Sequence, residues 1–184
     1  MTILHVWQQP ITNGRFGFMA TDCGIGGMWY ENAREMPINL PAADSAAISG
    51  SEFLWLERAG EKISLFAAND GYSCRVEYAP GKAVWEKTVD DRQIRLTAFV
   101  PEDSDARVLV IEGAVGMKLG WTLLPTLGAD ASSVRITKEG RALFAQNPMS
   151  YFENLVFTAL CSRVCARKRA FIPRPCTFPS YAMR

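Results

Sequence analysis

The chain has 184 residues, 48% of them hydrophobic, and a formal net charge of +1. That suits one domain with an appendage and a sizeable core, and it excludes a wholly disordered chain. The near-neutral balance conceals an asymmetry: residues 1–160 carry 14 basic and 19 acidic side chains, whereas 161–184 carry six basic and none acidic.

The N-terminal MTILHVWQQP lacks a basic region followed by a long apolar block, so no secretory signal is expected. No apolar run reaches the length of a bilayer span. The five cysteines then read as reduced cytoplasmic thiols rather than a disulfide framework.

Residues 13–41 form the most unusual stretch, with five glycines, four aromatics and three acids. Glycine permits φ > 0 or a close approach by a ligand. Gly24-Ile25-Gly26-Gly27 is not a dinucleotide fingerprint, because Trp29 stands where a third glycine is needed, and it reads as a tight turn between strands. Trp29 and Tyr30 offer flat apolar faces, with Glu31, Asn32, Arg34 and Glu35 just beyond. Flat faces beside hydrogen-bonding groups suit a sugar. Trp29, Tyr30, Asn32, Arg34 and Glu35 are therefore the candidate substrate-binding residues, the alternatives being a core tryptophan and a surface Arg34–Glu35 ion pair.

Downstream the pattern is that of short strands. Phe53–Leu56 and Lys62–Phe66 flank Arg58-Ala-Gly-Glu, a hairpin signal, and the apolar surroundings of Trp55 suggest burial. Tyr72, Cys74, Val76 and Tyr78 alternate with Ser, Arg and Glu, the period of a half-buried strand. Val84–Val100 reads as a hairpin about Asp90-Asp91, with Trp85 in the core. Arg107–Glu112 is a continuous apolar run, expected to be covered on both faces, and Lys118–Leu124, with Trp121 in the core, and Val134–Thr137 follow. Met149, Phe152, Val156 and Leu160 recur at helical spacing and predict one helix over 149–160. Many short strands predict a mainly β antiparallel sandwich or barrel.

Several chemistries have no support. Asp22 and Glu31 are the acids nearest the loop, and nothing marks them as an acid–base pair. His5 is the only histidine and excludes a multi-histidine metal site. Cys161 and Cys165 have no second ligand pair at a zinc-like spacing.

Three segments carry a family resemblance: Asn13-Gly-Arg-Phe-Gly-Phe18, Gly24-Ile-Gly-Gly-Met-Trp29 and Glu31-Asn-Ala-Arg-Glu35. Together with Tyr72–Tyr78 and Ile94–Pro101 they resemble the N-terminal region of the glycoside phosphorylases of glycoside hydrolase family 94. The resemblance fades after about Phe157. It implies an antiparallel super-sandwich of the galactose mutarotase-like type over 1–147 and a helical linker beginning in 148–160. By composition, residues 161–184 read as an atypical basic tail, a truncated or frame-shifted end in preference to a nucleic-acid- or membrane-binding tail. The resemblance further implies β-glucosides as ligands and inorganic phosphate as co-substrate, with no other cofactor. The catalytic Asp and the phosphate site lie on an (α/α)6 barrel for which this sequence has no room. The expected partners are that barrel, carbohydrate and a second copy in a homodimer, with no nucleic acid and no membrane. The alternatives are a stand-alone carbohydrate-binding module and an aldose mutarotase, which would need His5 as one of its acid–base groups.

Overall fold

A computed structural model describes residues 7–39, 51–67, 70–128, 131–149 and 156–160. The first sheet is a meander of β1 (Gln8–Thr12), β2 (Phe16–Thr21) and β3 (Gly24–Tyr30). Gly24, Gly26 and Gly27 lie inside β3 rather than in a turn; the reversal is made by Asp22 and Cys23. None of the three takes a positive φ, and at Gly26 the value of glycine is close approach. A Cβ on Gly26 would stand 3.1 Å from Met19, beside the bulge that shifts the β2–β3 register between Phe18 and Ala20.

The second sheet joins β4 (Glu52–Arg58) to β5 (Glu61–Ser64) on one side and to β10 (Lys118–Leu123) on the other. Ala59 and Gly60 both take positive φ in the β4–β5 turn, as the Arg58-Ala-Gly-Glu signal implies. The third sheet runs β6 (Cys74–Ala79), β7 (Lys82–Val89), β8 (Arg92–Phe99), β9 (Val108–Glu112), all antiparallel. Asp90 and Asp91, at φ 44° and 61°, close the β7–β8 hairpin. The continuous apolar run of β9 belongs to an edge strand, not to a strand covered on both faces, and Val110 remains exposed.

The expected helix over 149–160 is not present in its described part. Val156–Leu160 is a strand, β13, paired antiparallel with β12 (Ala142–Gln146), which in turn pairs with β11 (Arg135–Glu139). Val156, Phe157 and Thr158 are β-branched or aromatic and favour a pleated surface over a helix. Residues 150–155, the tail from 161 and His5 lie outside the described residues. Among the described residues no helix is long and apolar enough to cross a membrane.

One apolar cluster takes side chains from the first three sheets. Phe18 and Ile25 come from the first, Leu54, Leu56 and Ile63 from the second, and Trp85, Ile94 and Leu96 from the third. Trp85 is 1% exposed; it donates Nε1–H to Thr21 O (3.0 Å) and meets Phe66 edge-on at 5.3 Å. Each such fully buried side chain contributes roughly 1.5–3 kcal/mol. Pro37–Asn39 ties the first sheet to the second. Ile38 N–H donates to Met28 O, and Thr126 N–H donates to Ile38 O, both at 2.8 Å. Trp55 is not buried as its neighbours are. It alternates with Leu54 and Leu56 and lies half-exposed on the outer face of β4.

Among the described residues two ion pairs have buried members. Lys87 is 2% exposed, and its Nζ donates to Ser64 O and Phe66 O (3.0 Å each) and to Asp70 (2.6 Å), using all three protons. Glu52, at the head of β4, accepts a bidentate pair from Arg107 and a third hydrogen bond from Trp121 Nε1 (2.7 Å). Arg107 also lies 5.6 Å from the Phe18 ring centroid. This network binds all three core sheets at one point.

Candidate functional site

The end of the β2–β3 hairpin where β2 begins and β3 finishes collects most of the polar groups singled out in the sequence. Asn13 organises it. Its Oδ1 accepts from the N–H groups of Arg15 (3.0 Å) and Phe16 (2.9 Å), an Asx turn that lets Gly14 adopt φ 94°. Its Nδ2 donates to Pro101 O and Ser104 O, both at 3.0 Å, fixing the loop after β8 to the same end.

Arg15 then spans the gap between these segments. Its Nη2 donates to Tyr30 Oη (2.7 Å) and pairs with Asp105 (2.8 Å). The Tyr30 hydrogen bond, and after it the Asp105 carboxylate, hold the Arg15 guanidinium above its ordinary pKa.

Beyond Tyr30 the chain turns sharply. Glu31 takes φ 53° and donates its N–H to Arg15 O. Asn32 caps the turn formed by residues 33–35. Its Oδ1 accepts from Arg34 N–H (2.9 Å) and Glu35 N–H (3.3 Å), and Met36 N–H closes on Asn32 O (2.8 Å). Met36 O accepts from Tyr30 N–H (3.1 Å), so the strand resumes where it left. Glu31–Glu35 are all exposed. Arg34 and Glu35 make no side-chain hydrogen bond or ion pair with the described residues, so the Arg34–Glu35 surface pair is not formed.

Of the five predicted site residues, Tyr30, Asn32, Arg34 and Glu35 therefore meet at one exposed turn. Trp29 does not join them. It leaves β3 on the face opposite Tyr30 and lies across its strand partner Gly17, where an added Cβ would collide with indole Cζ2. Asn32 spends its amide oxygen inside the turn and Tyr30 spends its hydroxyl on Arg15, so both act as supports. Asn13, Arg15 and Asp105 belong to the same end of the domain. Asn13-Gly14 carries an Asx-turn signal in sequence; Asp105, 75 residues from Tyr30, carries none.

Asp22 sits at the other end of β3, at the Thr21–Gly24 reversal, where it accepts from Tyr78 O–H (2.6 Å) and Trp7 N–H (3.2 Å). Seven residues of strand at about 3.3 Å each separate it from Glu31, far beyond the spacing of a glycosidic acid–base pair. Among the described residues no group of three or more His, Cys, Asp or Glu side chains could hold a metal.

The model of the glycosyl hydrolase 94 supersandwich domain matches residues 4–112. The chain belongs to this family. No curated protein matches it. The matched span of the supersandwich domain runs from β1 to the end of β9 and contains the whole turn with its Asn13, Arg15 and Asp105 supports. It stops short of β10, which nonetheless completes the second sheet by pairing with β4 along six residues.

Proposed function

We propose that this supersandwich domain is the carbohydrate-facing N-terminal scaffold of a cytoplasmic glycoside phosphorylase or glycosyltransferase acting on β-glucosides. In this reading the Tyr30–Glu35 turn touches the sugar. Bond cleavage belongs to an (α/α)6 barrel supplied elsewhere, with inorganic phosphate as co-substrate, and the domain alone does not cleave.

One observation carries the reading. Asn32 and Glu31 lock the backbone of the turn while Arg34 and Glu35 stay exposed and without side-chain partners among the described residues. A guanidinium fork next to a carboxylate supplies donors and acceptors for adjacent sugar hydroxyls, and a locked backbone removes ordering cost from binding.

The test is calorimetry with cellobiose on the purified chain. Arg34→Ala and Glu35→Ala each weaken binding by about tenfold, the loss of one charge-assisted hydrogen bond. Asn32→Ala, which frees the turn, lowers affinity while leaving both charges in place. Unchanged affinity in the Arg34 and Glu35 variants refutes the assignment of the site. Phosphate-dependent cleavage of cellobiose by this chain refutes the scaffold reading.

A further inference from the structure

The outer face of the second sheet carries an aromatic surface that the turn does not use. Trp55 and Phe53 stand two residues apart on that face of β4, about 7 Å along the strand. Trp55 pairs with Gly120 of β10, and a Cβ built on Gly120 would fall within the indole, against Cε2, Cζ2 and Nε1. The ring is therefore laid flat upon the sheet, with one face on the glycine and the other outward. Phe53 is 44% exposed and pairs with exposed Thr122. Ser64 faces Trp55 from the other side, and the exposed Lys62 holds its Nζ 5.1 Å from the indole centroid. Glu57 and Lys118 form an ion pair (3.8 Å) at the end of the row.

The size and border of this surface decide what fits it. A phenylalanine and a tryptophan bury about 150–250 Å² each at most. Together they fall short of the roughly 800 Å² per partner that a stable protein interface takes. Hydroxyls, an ammonium and an ion pair border the two rings on three sides, and beyond Phe53 only the exposed Leu124, among the described residues, extends the strip, by one side chain, which still leaves it narrow. A chain of equatorially substituted pyranose rings has the matching pattern, with C–H faces flanked by hydroxyl rims.

We propose that Trp55 and Phe53 form a stacking platform for a β-linked glucan chain, with Lys62, Ser64 and Thr122 reaching its hydroxyls. The platform is separate from the Tyr30–Glu35 turn and stands or falls without it. Lys62 moves off the indole when a sugar arrives: an exposed cation–π contact is weak, its stem is flexible, and its ammonium becomes a donor at the ring edge.

Calorimetry with cellohexaose, and with maltohexaose as the α-linked control, tests this on the full chain. The wild type binds cellohexaose in preference to maltohexaose. Trp55→Ala weakens binding about tenfold and Phe53→Ser about fivefold. Phe53→Ser changes only a half-exposed ring and keeps the test valid should Trp55→Ala unfold the sheet. The proposal is overturned by any of four results: no cellohexaose binding by the wild type, equal binding of maltohexaose, unchanged affinity in Phe53→Ser, or a wild-type dimer that Phe53→Ser dissolves.

Discussion

Glu52→Leu perturbs the domain at the point where its three core sheets meet. The Glu52 side chain is 0% exposed and that of Arg107 5%, and Arg107 grips both carboxylate oxygens. Removing the carboxylate strands a buried guanidinium, which costs about 3–5 kcal/mol. The Trp121 N–H also loses its acceptor and adds about 1 kcal/mol or more. A total near 5 kcal/mol compares with a whole-domain stability of about 5–15 kcal/mol, so the variant sits close to its unfolding threshold. Arg107→Met strands the carboxylate instead and costs a similar amount. The double variant leaves no buried charge at this point, and apolar replacement of a buried pair is often neutral. The two effects should therefore couple by about 3 kcal/mol or more in a double-mutant cycle. Urea unfolding followed by tryptophan fluorescence gives all four stabilities. A Glu52→Leu cost under about 1 kcal/mol, or additive single effects, would show that water reaches the pair and that it does not bind the sheets.

Two further perturbations follow from packing and titration. Gly120→Ala forces the Trp55 indole off the sheet and should cost about 1–3 kcal/mol, a penalty that shrinks when Trp55→Ala removes the ring; thermal melting of the single and double variants reads both. Burial first, and then the hydrogen bond to Asp22, push the Tyr78 hydroxyl above its usual pKa of 10.0. The folded state thus keeps a proton that the unfolded chain releases. The associated stability is complete below about pH 10 and is lost as pH rises beyond it. Urea midpoints from pH 8 to 11 should fall along that limb, and Tyr78→Phe should flatten the fall while removing one hydrogen bond, worth about 0.5–1.5 kcal/mol.

Local chemistry in the sequence revealed the hairpins. Ala59-Gly60 and Asp90-Asp91 are short polar or small breaks between alternating runs, and each proves to be a reversal with positive φ. The alternation through Cys74, Val76 and Tyr78 placed β6 half-buried for the same reason. The glycine stretch misled because glycine serves two purposes. At Gly14 it accommodates the backbone; at Gly17, Gly26 and Gly120 it makes room for a cross-strand side chain, and only the partner strand reveals which. Val156–Leu160 misled because Val156 and Leu160, four apart, fit helical spacing as well as one side of a strand whose partner, β12, is known only from the fold. The Glu52–Arg107 and Arg15–Asp105 pairs join residues 55 and 90 positions apart, and no local pattern announces such contacts. The Asn32 turn leaves Arg34 and Glu35, two and three residues further on, exposed.

The way Asn13 joins two loops bears on how this end of the domain holds its shape. One amide satisfies Arg15 and Phe16 at the start of β2 and, through Nδ2, Pro101 and Ser104 after β8. Arg15 repeats the link from Tyr30 to Asp105, and its carbonyl receives the N–H of Glu31. The turn and the 101–105 loop are thus fastened to each other rather than separately to the core, and they should open together. Asn13→Ala leaves backbone groups on both loops without their partner, at about 1–2 kcal/mol for the domain. Amide exchange should then speed up in 31–36 and in 101–105 alike, with Trp85 and its neighbours in the core unaffected. Faster exchange in one loop alone would mean that each is anchored independently, and that the turn owes its rigidity to Asn32 and Glu31 by themselves.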